Sequence, residues 1–595
     1  MSNKAKARLE LTWVGKDKRT KVEPRILMEE QSKSYHASHK LSKNDIFDNK
    51  LINGDNLLAL KALEQEYSGK VKCVYIDPPF NTGQAFDLYD DGLEHSIWLD
   101  LMYQRLIIIY RLLSSDGLLW VHLDDSEVHY LKVMLDEIFG RGCFVSHISY
   151  ERSAAAGIGQ GGFLVDTSEH IICYKKENLK EHNVKNAVPL ELKTIKRYNK
   201  YLSNIGEKKL VREFPSRSNG ESVKVYEYDF FDINKISLRD YEKRKNEVDL
   251  QLIENFNTLF RTNQIQKENS FQKDLVSEMD KKKLYSVEYT PSRGKHEGKK
   301  TELFYYNAEL FSWLKDTAEV KDGVIVKFSN LTNFWRHEDI PKADIANEGG
   351  VKFPRGKKPE QLLKRILEIS TNPGDLVLDS FGGSGTTAAT AHKMGRRWIL
   401  VELGEQCNTH ILPRLKNVIN GSDQTGISKA VNWQGGGGFR YYELAPSLLE
   451  QDRWGRWVIS KAYDAAMLAE AICKLEGFTY APSDTEWWNH GYSTEQDYIY
   501  VTTQTLSAEQ LQALSEEVGE DRTLLVCCSA FRCNTDRFPN LTLKKIPKMV
   551  LSRCEWGHDD YSLNVENLPM KEEVKNDPPA MQRQTGLFDD NDHQG

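Results

Sequence analysis

Six consecutive residues, Val71–Ile76, constrain this chain more than any other feature. They are apolar or β-branched apart from one lysine, the pattern of a strand buried on both faces of a parallel sheet, and they stop abruptly at Asp77-Pro78-Pro79-Phe80. Similar runs at 118–123, 170–174, 376–378 and 398–401 alternate with helical patterns such as 96–113. Strands that need cover on both faces, separated by helices, predict a doubly wound, mostly parallel α/β sheet. The pattern fades after Lys176 and returns only near Glu348, so the sheet is expected to carry an inserted domain.

A chain of 595 residues exceeds a single core, and its segments divide by composition. The expected order is an N-terminal extension (1–45), one half of the α/β domain (46–180), the insert (181–330), the other half (331–432), a second α/β-like region (439–570) and a polar, acidic, mobile tail (571–595). Gly435 to Gly438 reads as a hinge before the second region, where strands at 498–502 and 524–528 flank a helix at 508–518. Cys527 and Cys528 fall in strand interior.

With no apolar run long enough to span a bilayer and no signal-peptide core in MSNKAKARLE, an intracellular, cytoplasmic setting is expected. The nine cysteines form no CxxC pair, which suits a reducing compartment and no metal site. A net charge of -7 does not advertise a polyanion partner, but net charge hides local patches. In the insert, Lys193/Lys196/Arg197, Lys208/Lys209, Lys281/Lys282/Lys283 and Lys295/Lys299/Lys300 alternate with Tyr198, Tyr201 and Tyr305/Tyr306, as in a surface for phosphates and bases. A solvated charged surface is the alternative.

The end of a buried strand is where α/β sheets expose their chemistry. There, the Asp77 carboxylate and the Pro78 carbonyl could accept both N–H bonds of an exocyclic amine, whose lone pair is otherwise delocalised into its ring. Pro78 and Pro79 fix two φ angles in advance, and Phe80 offers a face for an extruded base. An ordinary strand-ending turn would look similar. Asp379-Ser-Phe-Gly-Gly-Ser-Gly-Thr-Thr387 makes a second strand-to-helix turn, ahead of helical residues 388–394. It lacks the lysine of a triphosphate loop and the GxGxxG spacing of a dinucleotide loop, so it suits a smaller nucleoside cofactor. Glu402 ends the next strand about 20 residues on, where an acid accepts from ribose hydroxyls. Asp55, in Asn53-Gly-Asp-Asn-Leu57, offers an acceptor for an adenine amino group or simply an Asx turn.

Together these motifs resemble the amino-methyltransferases of DNA. Asp77-Pro78-Pro79-Phe80 is similar to their catalytic motif, and Phe381-Gly-Gly-Ser-Gly-Thr-Thr387 to the FxGxGT loop that binds S-adenosylmethionine. The catalytic motif comes first and the cofactor loop second, with the variable insert between, an order that resembles the β class, where the sheet is circularly permuted and the insert recognises the target. Asn53 to Leu57, DTSEHIICYKK at 166–176 and EGGVKFPRGKKPEQLL at 348–363 agree. The resemblance implies a cofactor site made of Asp55, Phe353, Lys358, Asp379, Phe381, Gly383, Gly385, Thr386 and Glu402, with Phe353 and Lys358 at the methionine end. Lys357, Phe80 and Gly382 depart from the family's usual proline, tyrosine and alanine.

Asp at the first motif position implies adenine N6 rather than cytosine N4, the alternative substrate. Length and order are similar to modification subunits of type III restriction systems, which implies double-stranded DNA as substrate, a homodimer and an ATP-driven restriction partner. The competing possibility is a DNA-recognition module that mainly delivers a helicase or nuclease. No nuclease or Walker motif occurs in the chain, so cleavage would come from another one.

Overall fold

The computed structural model describes residues 10–562 except 18–19, 42–44, 80–90, 153–166, 180–184, 266–268, 293–296, 322, 341–344 and 354–355. Phe80, Lys295 and the expected tail at 571–595 therefore lie outside the described residues. The chain falls into two compact units, Asn183–Thr332 and the remainder.

In the larger unit, eleven strands make one sheet. In chain order they are β1 (Leu27–Glu29), β2 (Tyr35–His36), β3 (Asn49–Asn53), β4 (Val71–Ile76), β5 (Leu113–Leu123), β6 (Phe144–Glu151), β7 (Ser168–Lys175), β8 (Phe334–Trp335), β9 (Leu376–Asp379), β10 (Arg397–Glu402) and β11 (Gly438–Leu444). Across the sheet the order is β1, β11, β3, β10, β9, β4, β5, β7, β6, β8, with β2 also on β11. From β11 to β5 every pairing is parallel, and β7 then runs antiparallel to both β5 and β6. The expected doubly wound sheet is present, and its permutation sets Val377 of β9 beside Cys73 of β4.

Alternation along each strand explains the two layers of helices. Val74 and Ile76, Leu378, and Ile399 and Val401 face a core built with α1 (Asn56–Tyr67), α2 (Asp91–Leu112) and α3 (Val128–Phe139). Their strand neighbours Cys73 and Tyr75, Val377, and Trp398 and Leu400 face the opposite core, closed by α4 (Glu360–Ser370), α5 (Thr386–Lys393) and α6 (Leu412–Ile419).

The glycine run corrects one expectation. Gly438 opens β11 inside the large sheet, so the run is no hinge, and the first strand of 439–570 belongs to the α/β core. Side chains are excluded there by close neighbours, with backbone carbonyls among them. A Cβ at Gly435 would meet Ile419 O at 2.8 Å, one at Gly437 would meet Ile46 O at 2.7 Å, and φ is +100° and +75° at the two positions. The N-terminal stretch also enters the fold, pairing Leu27 with Leu444 and Tyr35 with Phe439. Beyond β11, a five-stranded sheet with parallel strands at Asp497–Val501, Thr523–Cys528 and Leu541–Lys545 packs with helices Ala465–Glu476 and Ala508–Val518, and Cys527 and Cys528 are both buried.

The smaller unit holds an eight-stranded antiparallel sheet and a three-stranded one. Its aromatic pattern was misread from sequence. Tyr198 and Tyr305 are buried in separate apolar clusters rather than displayed, Tyr198 from a bend between a helix and a strand and Tyr305 from the inward face of its strand. Lys208, Lys283 and Lys300 pair with Glu288, Glu227 and Glu288, which neutralises part of the expected basic surface. Lys193, Lys196, Arg197 and Lys209 are exposed.

Candidate active site

Four neighbouring parallel strands, β3, β10, β9 and β4, end at the same edge of the sheet and carry there Asp55, Glu402, the glycine loop and Asp77. The permuted order brings together motifs that lie far apart in the chain.

Asp77 stands at the β4 end with its side chain 21% exposed. The turn behind it is pinned from α2, where the buried indole of Trp98 donates to the carbonyl of Pro79 at 3.0 Å. Asp77 Oδ1 is buried and accepts no hydrogen bond among the described residues; the nearest cation is Lys358 Nζ, 3.5 Å away. Burial raises the Asp77 carboxyl above its ordinary range, against the pull of Lys358 and His122. Lys358, placed at the cofactor's methionine end by resemblance, sits just before α4 and donates to Glu169 at 3.0 Å. Sequence reasoning missed Glu169 and its neighbour His122, whose Nε2 lies 2.8 Å from Glu169 Oε2. The available signal was a glutamate and a histidine inside strand runs that are otherwise apolar.

The loop after β9 is held by its own side chains. Asp379 Oδ1 accepts from Phe381 N at 2.9 Å and Oδ2 from the Thr387 hydroxyl at 2.6 Å, and burial pushes its carboxyl up to about 8. Asp379 thus shapes the loop instead of facing outward. Gly383 N donates to Glu402 Oε2 at 2.6 Å, while Glu402 Oε1 accepts from Gly404 N at 2.9 Å and Gln406 at 2.7 Å. Burial raises the Glu402 carboxyl as well. Gly385, with φ +76°, precedes the first residue of α5, so Thr386 begins a helix whose N-terminal end faces the loop. Beneath it, the buried Arg414 donates to Ser384 O at 3.1 Å and Thr386 Oγ1 at 2.9 Å, and to Glu360 at 2.8 Å. Glu360 in turn pairs with Lys393 at 2.9 Å, and Lys393 with Asp423 at 2.7 Å. Sequence reasoning missed this network too, although charges on apolar helix faces are its mark.

Asp55, Phe353 and Lys357 are each engaged by neighbouring protein groups. Asp55 is the N-cap of α1, with Oδ1 accepting from Leu57 N at 2.8 Å and Leu58 N at 3.1 Å and Oδ2 from Tyr561 N at 2.9 Å. At 1% exposure its carboxylate is engaged by protein, which is the Asx-turn alternative rather than an open acceptor for an adenine. Phe353 is half-buried with its ring 5.4 Å from that of His410 in an edge-on contact. Lys357, where a proline was expected, turns inward to donate to Val351 O at 3.0 Å and to Glu348 O.

The two adjacent glycines of the loop face different surroundings. A Cβ on Gly383 would meet nothing nearer than Phe381 O at 3.9 Å, so open space lies beside the backbone that Glu402 holds. Gly382 faces the other way, and a Cβ there would press on Val401 O at 3.0 Å.

A family model described as DNA methylase, covering adenine-N6 and cytosine-N4 enzymes, matches residues 71–411, more than half of the chain. The chain belongs to this DNA methylase family. Within that family it is 36% identical over 416 residues to the Mod subunit of HindVI, a probable type III restriction-modification enzyme of Haemophilus influenzae, covering 67% of this chain and 54% of that one. It is 28% identical over 466 residues to the Mod subunit of the type III enzyme EcoPI of Escherichia phage P1, covering 69% and 64%. The chain therefore spans between half and two thirds of the length of these two relatives. Among solved structures, PvuII DNA methyltransferase, named as cytosine-N4-specific, aligns at 13% identity and TM-score 0.26 over 67% of this chain and 98% of that one. The matched span of the methylase family runs from the first residue of β4 past the end of β10, and so contains Asp77, the insert, the glycine loop and Glu402.

Proposed function

We propose that this DNA methylase transfers a methyl group from S-adenosylmethionine to N6 of an adenine flipped out of duplex DNA, as the modification and specificity subunit of a type III-like restriction-modification system. The observation that carries the reading is the juxtaposition of β4 and β9, which sets Asp77 one strand away from the glycine loop.

S-adenosylmethionine, when bound, supplies an already activated methyl group on a sulfonium. The protein's part is binding, orientation and exclusion of water. Gly383 and the open space beside it admit the nucleoside, and Glu402 at the end of β10 is the acceptor for its ribose hydroxyls. Asp77 accepts an N–H of the amine, drawing its nitrogen towards a tetrahedral geometry and stabilising the positive charge that grows on it. Phe80 is the stacking face for the extruded base. The residue at the motif's first position, aspartate, supports adenine over cytosine by resemblance. The Mod relatives, named as subunits of type III restriction-modification enzymes, support DNA as substrate and a restriction partner; the homodimer, the cytoplasmic setting and that partner's use of ATP are proposed from the resemblance alone. No helix among the described residues is long and apolar enough to cross a membrane. The unit Asn183–Thr332 is the proposed target-recognition insert, with the exposed Lys193, Lys196, Arg197 and Lys209 as phosphate contacts.

The test is incubation of the purified chain with labelled S-adenosylmethionine and unmethylated genomic DNA, followed by nucleoside analysis. N6-methyladenine is the expected product. N4-methylcytosine would move the substrate to the alternative base, and cofactor binding without transfer would favour the delivery-module alternative.

A further inference from the structure

Glu169 opens β7, which runs antiparallel to β5 with Ile171 opposite His122. That register places a carboxylate behind the end of β4, where Lys358 arrives from the segment before α4. Lys358 has two carboxylates within reach. It sits 3.0 Å from Glu169 Oε2 and 3.5 Å from Asp77 Oδ1, and its hydrogen bond goes to Glu169.

Glu169 is itself held firmly. Its side chain is 8% exposed, His122 Nε2 lies 2.8 Å from Oε2, and His122 Nδ1 is 2.9 Å from the Tyr75 hydroxyl. Burial lowers the pKa of His122, so the ring is neutral near pH 7, and a proton on Nε2 leaves Nδ1 to accept from Tyr75. Burial would raise Glu169, but His122 and Lys358 hold it far below the ordinary carboxylate range, so it remains an anion.

The consequence falls on Asp77. A buried carboxylate oxygen that accepts no hydrogen bond, with an ammonium 3.5 Å away, is a costly arrangement. It persists here because a second anion competes for the same ammonium. We propose that Glu169 is a positioning residue for methyl transfer: it draws Lys358 off Asp77 so that Asp77 Oδ1 stays open to the N–H of the substrate amine. This rests on the methyltransferase function proposed above. Without the charge on Glu169, the ammonium closes on Asp77 and covers the oxygen that the amine needs.

The groups facing this pair are Lys358, His122, Tyr75 and Asp379 around Asp77, and Lys358, His122, Arg152 and Tyr150 around Glu169. Removing the negative charge of Glu169, which raises the Asp77 carboxyl, lowers the Asp77 pKa relative to wild type.

Glu169→Gln keeps the shape and removes the charge. Its single-turnover methylation rate is expected to fall about tenfold or more, with affinities for S-adenosylmethionine and DNA within about twofold of wild type. The acid limb of its pH–rate profile moves to lower pH, and Glu169→Asp recovers most of the rate. A wild-type rate and profile in Glu169→Gln would overturn the proposal. So would an equal loss in both variants together with lost cofactor affinity, because that describes structural damage. A crystal structure of Glu169→Gln decides the matter without any turnover: Lys358 Nζ should move to hydrogen-bond distance from Asp77 Oδ1, and an unchanged separation would refute it. A wild-type chain that methylates nothing would refute the methyltransferase function, while that structure would still report on Glu169.

Discussion

Arg414 donates to the hydroxyl of Thr386 at 2.9 Å, tying a helix on one face of the sheet to the first turn of α5 at the cofactor loop. The same guanidinium pairs with Glu360, and no part of its side chain reaches solvent. Replacing Arg414 with Ala leaves Glu360 and Asp423 to share the single charge of Lys393 in the interior, and a broken buried pair costs about 3–5 kcal/mol. Denaturant unfolding should show that loss. Unfolding that matches wild type would mean the network relaxes around the gap.

Asp77→Ala removes the carboxylate at the reacting end and leaves the glycine loop untouched. By analogy with loss of a single preorganised polar group, transfer should fall by about a hundred- to a thousandfold or more. Cofactor affinity, read by calorimetry, should stay at the wild-type value. Full turnover by this variant would remove Asp77 from the mechanism.

Asp379 makes stability depend on pH in an uncommon direction for an aspartate. Its carboxyl keeps a proton up to about 8 in the folded chain, against 3.8 for the ordinary group. Between those values the folded state binds more protons than the unfolded one, so this contribution is complete below 3.8 and is lost as pH rises through about 8. Asp379→Asn cannot ionise. The stability difference between wild type and this variant should therefore shrink from pH 5 to pH 8.5, and a constant difference would show that Asp379 titrates normally.

Gly382→Ala restores the residue that the family usually carries, yet it should destabilise this chain. The new methyl would press on Val401 O and on Leu400, both in the buried strand β10, where the backbone has little room to give. Overpacking of this kind costs about 1–3 kcal/mol. A variant that melts at or above the wild-type temperature would show that β10 shifts freely.

Much of this was legible in the sequence because it rests on local chemistry. Val71–Ile76 announced a doubly covered strand through its apolar run, and Asp77 and the glycine loop announced its working end through turn residues that only special backbone positions require. What stayed hidden depends on partners distant in the chain. Asp55 read equally as an open acceptor or an Asx turn, since nothing near it reveals that Tyr561 N would bond its second oxygen. Tyr198 and Tyr305 looked like a display of aromatics because tertiary packing, not composition, decides which side chains turn inward. Gly435 to Gly438 looked like a hinge, but the sequence does not show that Ile419 and Ile46 crowd those positions. Glu169 was an unremarkable charge until strand register brought it together with Lys358 at Asp77.

The smaller unit leaves the sheet after β7 and the chain rejoins it at β8, whose Trp335 pairs with Tyr150 of β6 at the same margin. Both junctions lie at the far side from β10 and β9, so no strand between the glycine loop and Asp77 has its register set by what is spliced in. Exchange of the residues between those two junctions would therefore leave the pairing of β4 with β9 unchanged, so the insert is free to diverge independently of the strands it interrupts.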